Sequence, residues 1–112
     1  MSEIRLEILA KGVLLVPKGY IDKAYGEAIK RKVEEQASLG RGTLVLSFVD
    51  CPIVNSTGLA RLIETIELAA EKGTDLWFAD LSVLQRRTFE AAGLLALVPR
   101  IVTSSEARIV LG

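Results

Sequence analysis

Asn55-Ser56-Thr57-Gly58 places an amide, two hydroxyls and a glycine directly ahead of a long apolar periodicity. A serine in such a place has three uses: nucleophile, acceptor of a transferred group, or helix cap. Hydrolytic use of Ser56 is weak, because the sequence has no histidine to act as base and no Gly-x-Ser-x-Gly elbow. Acceptor chemistry is better served. The first turn of a helix presents unpaired N–H groups and a partial positive charge, which favour an anion. A phosphate on Ser56 would bring a charge of about −2 to a nearly neutral surface. The ordinary use remains open beside it, since Asn55 and Ser56 are both common N-caps and either could simply close the helix.

The elements that must position these residues are a strand before them and a helix after. Thr43-Leu44-Val45-Leu46-Ser47-Phe48 is a nearly continuous apolar run, as expected of a strand buried on both faces. Asp50 to Gly58 is rich in turn residues. From Leu59 to Glu71 the apolar residues Leu59, Leu62, Ile63, Ile66, Ala69 and Ala70 recur at spacings that share one helical face, and Gly73 ends the helix.

Upstream, Ile4, Leu6 and Ile8 alternate with Arg5 and Glu7, predicting a half-exposed edge strand. Lys11-Gly12 makes a turn into a second, antiparallel strand over Val13 to Val16, with Pro17 ending its pairing. Asp22 caps a helix to about Ser38, with Ala24, Tyr25, Ala28, Ile29 and Val33 inward and the charged run Lys30 to Glu35 mostly in water. Downstream come a strand at Leu76 to Ala79 and a helix from Ser82, a good cap, to Ala92, with Val83, Leu84, Phe89 and Ala92 inward. An apolar connector, Leu94 to Val98, leads to a short strand at Arg100 to Val102. A last helix, capped by Ser104 or Ser105, runs through Leu111. Trp77 is expected to pack against a helix rather than to serve a ligand. Strands alternating with helices predict an α/β fold. It would be a single mixed, mostly parallel sheet of four to five strands with about four helices, one domain over residues 1–112.

Composition narrows the function. Lys+Arg and Asp+Glu are both 14, so no basic excess invites nucleic acid. No apolar stretch reaches the roughly 20 residues needed to span a bilayer, so membrane insertion is not expected, and the N-terminus lacks the layout of a signal peptide. The single cysteine, Cys51, cannot form an internal disulfide, which suits a cytoplasmic protein, and is expected to be a packing residue. Without histidine there is neither a His-dependent triad nor a His-ligated zinc site, and no cofactor is called for. Gly40-Arg41-Gly42 precedes a strand and lacks the Gly-Lys-Ser/Thr of a phosphate loop.

Ile53-Val54-Asn55-Ser56-Thr57-Gly58-Leu59, after a Val/Leu strand, resembles the signature of STAS domains, and among them the bacterial anti-sigma factor antagonists. Gly19-Tyr20-Ile21-Asp22 resembles the family's Gly-x-Leu/Ile-Asp, and Gly93-Leu94 with Ile101-Val102 and Ser105-Glu106-Ala107 resembles its C-terminal part. The resemblance implies that Ser56 is the phosphoacceptor, with Thr57 the second choice. It implies a partner surface of Ile21, Asp22, Val54, Asn55, Ser56, Thr57, Gly58 and Arg61. It also implies a non-enzymatic role: docking, as a monomer or weak homodimer, onto an anti-sigma factor that is itself a serine kinase and brings the ATP, so that a sigma factor is released. Two positions depart from the family pattern, with Asn55 in place of an Asp and Ser47 in place of another. A carboxylate at ~6 Å in an effective dielectric of ~20 repels a singly charged phosphate by roughly 3 kcal/mol, so neutral neighbours make a phosphoserine easier to hold. The same loss of acids motivates two alternatives, an unswitched STAS scaffold and an accessory subunit of a membrane transporter. A further one is a small-ligand- or nucleotide-binding STAS domain with an apolar pocket beside Ser56.

Overall fold

The structure is a computed structural model and describes residues 3–112. The elements in chain order are β1 (Ile4–Leu9), β2 (Gly12–Pro17), α1 (Lys23–Ser38), β3 (Thr43–Ser47), α2 (Ser56–Glu71), β4 (Asp75–Ala79), α3 (Val83–Ala91), a 3-10 turn (Leu95–Leu97), β5 (Ile101–Val102) and α4 (Ser104–Leu111). The five strands form one sheet in the order β1-β2-β3-β4-β5. The first pair is antiparallel and the rest are parallel, in register through Val13↔Leu44, Leu44↔Leu76 and Phe78↔Ile101. The predicted mixed, mostly parallel α/β sheet is the fold observed.

Alternation along the central strands sends side chains into two cores. Val13, Leu15, Leu44, Leu46, Leu76 and Phe78 pack under α1, α2 and α3. Leu14, Val16, Val45, Trp77 and Ala79 face the other way, where Ala107 and Leu111 of α4 cover them. This two-sided burial is why β2 and β3 read as unbroken apolar runs. Trp77 lies in the α4 layer as expected, with the Arg100 guanidinium 4.8 Å above its ring.

Several inward assignments are corrected. Ala24 is exposed, because the buried stripe of α1 begins one residue later, at Tyr25 and Gly26, where the helix meets α2. Val83, Leu84 and Ala92 are exposed as well. The short α3 touches the body through Gln85 and Phe89, an i, i+4 pair, which turns Val83 and Leu84 to solvent. On α2, Ala70 is exposed while Gly58 and Thr65 are buried. Thr103, not Ser104 or Ser105, caps α4, through a capping box with Glu106. On the edge strand, Ile8 is 55% exposed.

Candidate functional site

The segment between β3 and α2 is held from three directions before it reaches Ser56. Phe48 N–H donates to the Ala79 carbonyl at the end of β4 (3.0 Å), and Cys51 N–H turns back to the Phe48 carbonyl (3.1 Å). On the α1 side, Gly19 N–H donates to Asp50 and Ile21 N–H to Ile53, while Asn55 N–H donates to Ile21 (3.1 Å). These bonds make isolated parallel bridges at Lys18↔Asp50 and Ile21↔Val54. On the α3 side, Gln85 Nε2 donates to the Cys51 carbonyl at 2.5 Å. Beneath lies a cluster of three rings, Phe48, Phe78 and Phe89, with centroids 4.8 to 5.9 Å apart. Cys51 is fully buried, and burial pushes its thiol up to about 11, the state of an inert packing residue.

The Ile21–Val54 bridge sets two helix starts side by side. Asp22 caps α1, its carboxylate accepting from Tyr25 N–H at 2.8 Å. Asn55 caps α2, its Oδ1 accepting from Gly58 N–H at 2.7 Å and from the Thr57 hydroxyl at 2.9 Å. Ser56 is therefore the first helical residue rather than the cap, and it is exposed. Its hydroxyl has no hydrogen-bond partner among the described residues, whereas that of Thr57 is engaged by Asn55. Gly58 is buried against the backbone of Ile21, where a Cβ would stand 2.2 Å from the Ile21 carbonyl oxygen. That close approach is the reason for glycine here: a side chain would push the first turn of α2 off the Ile21 strand segment.

Of the residues expected at the partner surface, Ile21, Asp22, Val54, Asn55, Ser56, Thr57 and Gly58 thus come together at one corner. Ile21 and Gly58 are buried scaffold within it. Arg61 sits apart, on the α1–α2 seam. Its guanidinium contacts Glu27 at 3.3 Å and Glu64 at 2.9 Å, and its Cβ lies where a side chain on Gly26 would go.

Two features escaped the sequence. Position 47 carries no acid, but its hydroxyl donates to Asp80 Oδ2 at 2.6 Å, so a carboxylate stands at the adjacent strand end instead. Asp80 adopts φ 61°, a left-handed conformation that aspartate tolerates, and also accepts from Ser104 N–H (2.9 Å) and the Ser104 hydroxyl. Burial works to raise its pKa. The bonds from Ser104 and Ser47 outweigh that and hold the carboxyl below the ordinary aspartate range. The second feature is Gln85. The Ser82-x-x-Gln85 spacing of a capping box was the available signal for it. Between Gln85 and the loop lies an apolar groove of about 150 Å³, lined by Pro52, Ile53, Val54, Leu84, Thr88 and Phe89. Among the described residues, no helix is long and apolar enough to cross a membrane.

The family model of the STAS domain matches residues 3–107. No curated protein sequence matches the chain. Among solved structures, a Thermotoga maritima protein superposes with a TM-score of 0.81 at 17% identity, covering 96% of this chain and 93% of that one. An anti-sigma factor antagonist from Mycobacterium paratuberculosis superposes with a TM-score of 0.74 at 20% identity, covering 99% and 94%. SpoIIAA, an anti-sigma factor antagonist, superposes in its unphosphorylated form with a TM-score of 0.72 at 20% identity, covering 94% and 92%. The phosphorylated form of SpoIIAA, described as a Bacillus cell fate determinant, gives 0.68 at 20% identity, covering 94% and 96%. At these identities the superpositions speak for the fold, while the family match extends over nearly the whole chain: it belongs to the STAS domain family.

Proposed function

We propose that this STAS domain is a phosphorylation-switched binding module, an anti-sigma factor antagonist. Unmodified, it docks onto an anti-sigma factor through the corner formed by Asp22, Val54, Asn55, Ser56 and Thr57, and so frees a sigma factor. The anti-sigma factor is also the serine kinase and supplies the ATP. This chain is its substrate rather than an enzyme and needs no cofactor, nucleic acid or membrane insertion. It works as one domain in the cytoplasm, as a monomer or weak homodimer. The observation that carries the proposal is the state of the two hydroxyls: Ser56 is exposed at the first position of α2 with its hydroxyl unengaged among the described residues, while that of Thr57 is spent on Asn55. A phosphate on Ser56 gains from the N-terminal dipole by about 0.3–1 kcal/mol. On the partner's side the same charge must be desolvated against a surface shaped for a neutral hydroxyl, which breaks the contact. The likeness to SpoIIAA in both its forms supports this function. Incubation with a purified anti-sigma kinase and labelled ATP tests it. Ser56→Ala is expected to abolish labelling and Thr57→Ala to retain it; a Ser56→Ala protein that labels fully overturns the assignment.

The groove beside Val54 favours a second function, binding of a small apolar ligand. Its volume of about 150 Å³ admits one branched aliphatic or aromatic group. A melting temperature that rises with a small aromatic compound, and does so less in Leu84→Asp, would favour it.

A further inference from the structure

The loop that ends in Ser56 is gripped on the α1 side by backbone bonds, whereas α3 meets it through the packing of Phe89 on Phe48 and a hydrogen bond from the Gln85 side chain. Gln85 is 6% exposed and uses both ends of its carboxamide. Its Oε1 accepts from Ser82 N–H at 2.9 Å, completing the capping box of α3, and its Nε2 donates to the Cys51 carbonyl at 2.5 Å. The two bonds do separate jobs. The first belongs to the helix, and any side chain with an acceptor at this position can make it; the capping box is served equally by Glu and Gln. The second crosses to the loop and requires a donor, which only the amide has. The next residue, Pro52, has no N–H of its own to hold this turn.

We infer that Gln85 is a positioning residue for the phosphoacceptor loop: its Nε2–H···O=C bond to Cys51 sets the distance between α3 and the segment that delivers Asn55 and Ser56. The same bond sets the width of the groove between Ile53 and Leu84, because those residues line its two walls. A group entering the groove therefore works against the tether that holds the loop, which links occupancy of that groove to the presentation of Ser56. The inference rests on the proposed function only for the importance of Ser56, and its test needs no kinase, so loss of one does not decide the other.

Gln85→Glu separates the two bonds. The carboxylate keeps the acceptor for Ser82 N–H, but at pH 7.5 it faces the Cys51 carbonyl with no proton to share. Burial raises the pKa of a carboxyl group, and once protonated the acid can donate to Cys51 again. Protection factors from amide hydrogen exchange, measured by NMR on the full chain, read this directly. In Gln85→Glu at pH 7.5, the amides of Cys51, Asn55 and Gly58 are expected to lose protection roughly tenfold or more, while those of Arg86 to Phe89 hold. At pH 5 the gap to wild type is expected to close. Ser82→Ala is the converse control: it removes the capping hydroxyl from α3 and leaves the loop protected. Loop protection equal to wild type at both pH values, or loss of α3 and loop protection together with no recovery at pH 5, overturns the inference. So does a Ser82→Ala protein whose loop loosens as much as that of Gln85→Glu.

Discussion

Asp80 shows how the charge of one residue can be moved without leaving the neighbourhood. β3 ends in a hydroxyl at Ser47 and β4 is followed by the acid, and the two lie 2.6 Å apart. The carboxylate is spent on Ser47 and on the start of α4, while α2 near Ser56 starts from a neutral cap, Asn55. The consequence for stability has a definite sign. With its folded pKa lowered below the ordinary 3.8, Asp80 contributes stability that is fully present above the unfolded value and is lost as pH falls through the folded one. Asn tolerates the same left-handed backbone, so Asp80→Asn removes the charge, and with it one acceptor oxygen, without straining the turn. Its melting temperature is expected to lie below wild type by a constant margin from pH 7 to about pH 5, and the margin to shrink below about pH 4. A margin unchanged down to pH 3 would show that the carboxylate's ionisation is irrelevant.

Among the elements, the helix starts were the most legible in sequence and the faces of α3 the least. Asp22, Asn55 and Ser82 were readable as caps because a short polar side chain ahead of a periodic run has one local use, and all three make the expected bond. The strand, loop and helix around Ser56 were legible because β3 is buried on both faces and so carries no alternation to confuse. The face of α3 was not. Val83 and Leu84 are apolar, and hydrophobicity alone turns them inward. What turns the helix is Gln85, whose long-range bond to Cys51 and local bond to Ser82 have no apolar signature. The Asp80 cluster was hidden for a similar reason, since its members come from three separate strand ends. α3 offers a direct measurement. Phe89→Ala removes a ring from the aromatic trio and is expected to cost about 3–5 kcal/mol in denaturant unfolding. Leu84→Ser, 72% exposed, is expected to change stability by no more than about 0.5 kcal/mol. Equal losses from the two would mean that Leu84 packs inward after all.

Across the whole molecule the helices are distributed unevenly. Three cover one side of the sheet, and α4 alone covers the other. It is fastened at both ends: Asp80 holds Ser104, and Lys11 N–H donates to the Leu111 carbonyl at 2.7 Å. Between them Arg108 pairs with Glu7 on the edge strand. The corner with Ser56 belongs to the three-helix side, so α4 lies on the opposite face of the sheet from it. α4 therefore shields the apolar residues of that face from water. Removing residues 103–112 would leave Leu14, Val16, Val45 and Trp77 uncovered on one face of the sheet. Light scattering is expected to report self-association of such a truncated chain at concentrations where the full one stays dispersed, and monodisperse behaviour would count against it. Ten residues on the face of the sheet opposite Ser56 would in that way decide whether the proposed switch is ever present in a form that a partner can meet.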